Sequence, residues 1–182
     1  MNRLMLLLIS FSLCSCWKYW NPPAFEEKMV IGYTPVYSQD SSILQIKAIA
    51  AQPVIKPGKI YVRGNMLFQN EYGKGIHVID KSDPSNPSRI GFIKIHGNQE
   101  MSIKGNYMYV NAMSDIVTID IRDWQNVQEV NRIKNVFSVG NSHLSLIPLP
   151  ETGVYYQCTS FGDGIHTGWK KDSVSTASCY YP

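Results

Sequence analysis

The chain has 182 residues, 44% of them hydrophobic and 12% aromatic, with 17 Lys and Arg against 14 Asp and Glu. These proportions belong to a globular chain rather than a disordered one, and a net charge of +3 lacks the basic excess that nucleic-acid binders carry, so no nucleic-acid partner is expected. The length allows one medium core and excludes a large multidomain enzyme.

Residues 1–15 read as a signal peptide. Arg3 precedes an apolar run from Met5 to Leu13, about half the roughly 20 residues that a membrane-spanning helix needs. Leu13, Cys14, Ser15 and Cys16 follow, and this ending resembles the bacterial lipobox. The resemblance implies cleavage before Cys16 and a lipid on its sulfur, with palmitate as the usual N-acyl chain. Two or more acyl chains hold a protein durably on a membrane, here expected to be the outer membrane of the cell envelope. Cys14 fits poorly as the modified residue, because bulky Leu13 would stand where a small side chain is required. The alternatives are an ordinary secretory signal cut nearby, or an uncleaved membrane-proximal helix. Trp17, Tyr19 and Trp20 come next, suited either to the membrane interface or to packing on the folded body.

Residues 16–42 read as a lipidated N-terminus and tether, since Pro22, Pro23, Pro35 and the polar run from Ser38 to Ser42 accompany no sustained period of 2 or 3.6. As a flexible coil the tether would reach on the order of 30 Å. A short helix-like piece is conceivable around Ser42 to Ala51, and Pro53, Pro57 and Gly58 then open the body of the protein, residues 43–182.

That body repeats itself. GNMLFQN from Gly64 matches GNYMYVN from Gly105 at an offset of 41, and IHVIDKSDPSNP from Ile76 matches IVTIDIRDWQNV from Ile116 at 40. The one-residue slip falls near Tyr72 to Lys74. Asp80, Asp83 and Asn86 thereby correspond to Asp120, Asp123 and Asn126. A weaker third copy is read in FGDGIHTGW from Phe161, with VYYQC from Val154 as its preceding strand. Each full copy holds four short strands in about 40 residues, which is the content of a propeller blade. Gly64-Asn65 and Gly105-Asn106 suit two-residue hairpins, because both residue types tolerate positive φ. Asp83-Pro84 suits a type I turn, so the Asp and Asn residues of the repeat are expected as turn caps.

IHVID and IVTID resemble the third strand of the LVIVD repeat, a propeller-type blade. More widely, Tyr33 to Tyr180 is similar to short LVIVD-repeat lipoproteins of Bacteroidota. The similarity rests on YTPVYS at Tyr33, PGKIYV at Pro57, GKGIHVIDKSDPSNP at Gly73, Gly168-Trp169 and Cys179-Tyr180. In the second copy Trp124 and Val127 replace the two prolines of the turn. The expected fold is all-β: a small or incomplete propeller-like array of about three four-stranded blades. Closure needs at least four blades, so residues 43–58, a second copy or a partner should cover an edge. The resemblance implies no reaction and no ligand.

Candidate chemistry is sparse. Cys158 and Cys179 are an even pair in an exported chain, where a disulfide is expected and two free thiols or a metal pair are the alternatives. His77, His96, His143 and His166 lie far apart without HExxH or CxxC spacing, so no zinc site is read, and Asp80, Asp83 and Asn86 lack the spacing of a calcium loop. Ser142-His143 is not part of a nucleophile elbow, and neither a Walker loop nor a dinucleotide fingerprint occurs. No catalytic residue, metal or cofactor is therefore assigned. The leading expectation is a non-enzymatic, membrane-anchored envelope lipoprotein that binds a protein or an envelope component. One alternative is an assembly lipoprotein that pairs a blade edge with another chain, including its own kind. Another is a hydrolase or lyase with a site between blades.

Overall fold

A computed structural model describes residues 26–137, 147–159 and 162–182. In chain order the strands are β1 (Met29–Ser38), β2 (Lys47–Ile49), β3 (Pro57–Arg63), β4 (Met66–Glu71), β5 (Gly75–Asp80), β6 (Ser88–Lys94), β7 (Met101–Lys104), β8 (Tyr107–Ala112), β9 (Asp115–Asp120), β10 (Gln128–Ile133), β11 (Val154–Tyr156), β12 (Ile165–Ser175) and β13 (Cys179–Tyr181). Short 3₁₀ turns occupy Ser41–Leu44 and Trp124–Asn126. The fold is all-β, and no helix among the described residues is long and apolar enough to cross a membrane.

The two clear repeats each form an antiparallel meander, β3 to β6 and β7 to β10. Their correspondence extends to irregular features. The hairpin glycines Gly64 and Gly105 take φ of 56° and 59°, whereas Asn65 and Asn106 are not among the positive-φ residues. Positive φ at the first central position alone is the pattern of Gly-X hairpins, so the expectation that both turn residues would use it is corrected. In the outer strands, pairing skips Ile90 between Gly91 and Arg89, and skips Val130 between Asn131 and Glu129. The two bulges are repeat-equivalent. The slip in offset also has a structural origin: three residues join β4 to β5, but two join β8 to β9, with Met113 at φ 53°.

Residues paired across a ladder share a face of the sheet. One face of the first repeat carries Phe68, Ile76, Val78 and Ile93, all buried. These join Met101, Ile103, Met108, Val110, Val117 and Ile119 of the second repeat in the principal core. Trp124, where the first copy has Pro84, packs against that core, and its ring lies so close to Gly91 that an added Cβ would sit 2.1 Å from it. The departure from the two-proline turn thus leaves an Asp-capped turn in place and adds an inter-sheet contact.

The third sheet differs from the sequence expectation. Its order is β12-β1-β11-β13, with β1 parallel to β11 and antiparallel to β12. Residues 29–38, read above as tether, are a ten-residue strand paired with β12 along its whole length. The third copy is therefore not a meander: β1 stands between the strands that would have been consecutive. The FGDGIHTGW similarity covers a turn and a strand start, too little to set strand order. The polar residues from Lys170 to Ser175 lie within β12. The helix-like piece near Ser42 is instead a 3₁₀ turn followed by β2, which pairs with β6 and covers the outer edge of the first repeat. The described residues thus form two repeat meanders and one sheet of different topology.

Cys158 and Cys179 form a disulfide with Cα atoms 5.3 Å apart, beside the β11–β13 pairing and a second small core of Tyr33, Leu149 and Tyr156. Closing a loop of 21 residues stabilises by about 3 kcal/mol in the chain-entropy picture. Replacing both cysteines by Ser is expected to lower the thermal midpoint by roughly 6–12 °C, read by calorimetry. Gly91→Ala should cost about 1–3 kcal/mol through overpacking against Trp124, and the double variant Gly91→Ala with Trp124→Ala should lose less than the sum of the two single changes.

Candidate functional site

A cleft of about 260 Å³ opens on the face of the first repeat that points away from the second. The segment 49–55 between β2 and β3 forms one wall, and β12 of the third sheet reaches the rim through Thr167. Ile49, Pro53, Ile55 and Phe92 make an apolar side, while Gln52, Lys74, Lys94, His96 and Glu71 supply the polar groups.

Strand register explains the lysines. Lys94, at the end of β6, is paired with Gly75 on one side and with Lys47 on the other. Lys47 and Lys94 thus face each other across β2 and β6, an unfavourable placement for like charges. Lys74 occupies the β4–β5 loop. None of the three makes an ion pair among the described residues. Asp40 feels Lys94 as a minor influence; hydrogen bonds from the Ser42 backbone and hydroxyl do most to hold its carboxyl below the ordinary range.

Glu71 is the buried acid of the cleft. Its Oε1 accepts the N–H groups of Lys56 and Ile55, and its Oε2 lies 3.1 Å from the Ile55 nitrogen and 3.0 Å from His77 Nε2. Burial pushes this carboxyl up, but the bonds from His77, Lys56 and Ile55 together bring it below the usual range. The carboxylate has no proton to give, so His77 Nε2 carries one. His77 Nδ1 has no partner among the described residues, and the ring meets Phe92 edge-on at 4.9 Å. Both oxygens of Glu71 are therefore committed to holding the chain entering β3, an assignment that suits a structural anchor better than a general base.

His96 joins the first repeat to the third sheet by donating Nε2–H to the His166 carbonyl at 2.7 Å. Burial lowers the His96 pKa; the hydrogen bond to that carbonyl raises it in part, and the Lys94 charge lowers it again. The ring is neutral at pH 7. His166 donates to the Gly168 carbonyl at 2.7 Å and stands edge-on to Trp169 at 4.7 Å. Lys56 Nζ adds a bond to the Leu149 carbonyl at 3.0 Å, so the seam beside the cleft is tied at several points.

Residues singled out from sequence fall elsewhere. Asp80 accepts from the backbone and hydroxyl of Ser82, and Asp83 accepts from those of Ser85, while the Asn86 N–H bonds the Asp83 carbonyl. Asp120 accepts from Arg122, including its guanidinium, and Asp123 caps the turn at the Gln125 nitrogen. Asn126 Oδ1 accepts from Gln128 at 3.2 Å. None of these lines the cleft. His77 and His166, equivalent in the repeat alignment, are both buried but occupy different sheets. Cys16 and His143 lie outside the described residues, as do Trp17, Tyr19 and Trp20. Among the described residues no group of three or more His, Cys, Asp or Glu could hold a metal ion. Sequence reasoning missed Glu71, which falls between the motifs ending at Asn70 and opening at Gly73 and has Ala112 as its counterpart in the second copy. Asn70 and Asn111 were aligned at offset 41, and both bond the linker between β6 and β7: Asn70 Nδ2 meets the Gln99 carbonyl, and Asn111 Oδ1 accepts from the nitrogens of Gln99 and Glu100.

Glu71→Gln keeps the volume but turns an amide N–H₂ toward existing donors, so a loss on the order of 3 kcal/mol is expected at pH 7. The folded carboxyl titrates below its unfolded value of about 4.3, so its contribution is full above that value and disappears as pH falls through the folded one. Urea midpoints at pH 7 and pH 3 should therefore show the gap between wild type and variant narrowing in acid.

Compared with known families, the chain matches the LVIVD repeat twice, over residues 57–93 and 98–133. Neither a curated protein nor a solved structure matches it. The two matches coincide with the β3–β6 and β7–β10 meanders, and the third sheet lies outside them. The chain therefore carries two LVIVD repeats, set beside a third sheet outside the matched residues.

Proposed function

We propose that this chain is a non-enzymatic, lipid-anchored binding module of the bacterial outer membrane, related to the LVIVD-repeat lipoproteins of Bacteroidota, and that its cleft receives an anionic group on an envelope component or a partner protein. The observation that carries the reading is the cleft itself. Two lysines without ion pairs, Lys74 and Lys94, line a space with an apolar wall, and Lys47 is paired with Lys94 across the strands, so an anion bound there would relieve the Lys47–Lys94 repulsion. A volume of about 260 Å³ equals some eight to nine waters, enough for a small head group rather than a drug-sized ligand. The full commitment of Glu71 to its donors favours binding over acid–base chemistry.

Pairing through sheet edges is the weaker reading. The edge strand β10 is interrupted by the Val130 bulge and carries Glu129 and Arg132, joined by hydrogen bonds of 2.7 Å. The edge strand β12 carries Lys170, Lys171 and Asp172. Bulges and charges are the devices by which sheets resist edge-to-edge addition.

Two measurements test the proposal. Cys16→Ala should move the protein from the membrane to the soluble fraction and abolish labelling by a palmitate analogue; unchanged membrane retention and labelling would refute the anchor. Proximity cross-linking in the intact envelope should recover the same partner reproducibly from wild type, with at least a fivefold loss in Lys74→Glu/Lys94→Glu. Equal recovery by that double variant would remove the cleft from the binding surface.

A further inference from the structure

The two repeats meet through non-equivalent faces, and among the described residues this leaves one face of the second repeat and the inner half of one face of the first without a mate. The first repeat contributes the face of Met66, Phe68, Ile76, Val78 and Ile93 to the shared core. At offsets of 41 and 40 their equivalents in the second repeat are Tyr107, Tyr109, Ile116, Thr118 and Ile133. Cross-strand register places Tyr109 beside Thr118 and Ile116 beside Ile133, on the face opposite the one that enters the core. Tyr107 is 42% exposed, Tyr109 38% and Ile133 55%.

The complementary face has the same history. Met101, Ile103 and Met108 of the second repeat lie against the first in the core. Their equivalents are Ile60, Val62 and Leu67 on β3 and β4. Ile60 is 56% exposed and Val62 54%, although the outer part of that face is covered at His77 and Phe92. The free area is therefore the inner half, where the strands closest to the repeat's start lie. Tyr107 and Tyr109, on β8, are in the inner half of their own face.

We propose that these two faces form one interface between copies of this chain, with Ile60, Val62 and Leu67 of one copy seated on Tyr107 and Tyr109 of the next. The contact reproduces between chains the inner part of the packing that already joins the two repeats within a chain. A second copy is the occupant because the existing core supplies the template: the same strand positions already mate, with Met66 and Phe68 where the tyrosines stand. Phenol rings suit such a reversible surface, since their apolar bodies pack while their hydroxyls remain hydrated when the copies separate. The contact is heterologous, joining different patches of the two copies. It uses sheet faces rather than edges and leaves the cleft open, so it stands independently of the cleft's proposed ligand.

The test uses full-length protein in its native membrane. Val62→Cys and Tyr109→Cys change exposed side chains, and within one chain the two positions face opposite ways across two stacked sheets, roughly 10 Å or more apart. Cells co-expressing differently tagged Val62→Cys and Tyr109→Cys chains are treated with a mild oxidant. At least ten times more disulfide-linked dimer is expected from the mixture than from either variant alone. Mixed dimer no more abundant than in the single-variant controls would overturn the proposal. So would Tyr109→Cys alone giving as much dimer as the mixture, because that outcome means a symmetric tyrosine-to-tyrosine contact. Adding Val62→Glu to the Tyr109→Cys chain should leave its mixed dimer with Val62→Cys intact, since its own Val62 face is not used in that pair; loss of that dimer would also refute the assignment.

Discussion

The mating of two unlike faces of a repeated four-stranded unit is the interaction on which the rest of the structure depends. Each repeat is apolar on both sides, so neither can bury itself alone, and stacking one on the other removes Phe68, Ile76, Val78, Met108, Val110, Val117 and Ile119 from water together. At about 25 cal/mol per Å² of apolar area, burial on this scale outweighs any single polar contact in the molecule. It also sets the distance and direction of everything attached to the stack. Trp124 can lie over Gly91 because the second repeat is held against the first. Arg63 can reach the Asn106 side chain at 2.6 Å for the same reason.

Polar groups then fix what apolar contact leaves free. Hydrophobic packing is non-directional and does not choose the path of a linker. Asn70 and Asn111 choose the path from β6 to β7, and Glu71 chooses the path into β3. All three are largely removed from water, where an unsatisfied donor or acceptor is costly. The cleft is a consequence of this pinning: the segment held by Glu71 forms its wall, and the same carboxylate is thereby taken out of chemistry. A side chain that would attract attention as an acid in a pocket is in this case part of the frame.

The third sheet helps to build the cleft at a seam rather than within a repeat. It joins β1, from the start of the described chain, to β11, β12 and β13 near its end, and the Cys158–Cys179 disulfide locks the last two-strand pairing. Its contact with the first repeat through His96 and His166 brings Thr167 to the lysine rim. Residues more than 70 positions apart therefore share one small space, with a β-sheet on either side of it.

Much of this was legible in the residues. The two repeats, the hairpin glycines, the Asp-capped turns and the cysteine pair follow from spacing and local geometry, because each depends on neighbours within a few positions or on a simple count. The one-residue slip in repeat offset marked a real difference in loop length. Other features were hidden for a physical reason. Strand β1 contains Gly32 and Pro35, which break an alternating pattern, and its partner β12 is more than 120 residues away. Glu71, Lys94 and His96 belong to no motif; only strand register and the approach of another sheet give them common surroundings. By itself the sequence determined the repeated unit, its turns and its apolar faces, since these are properties of contiguous segments. Tertiary structure alone decided which faces meet, which strand enters the third sheet and where the lysines converge, because those outcomes rest on non-local contacts whose free energy no single segment contains.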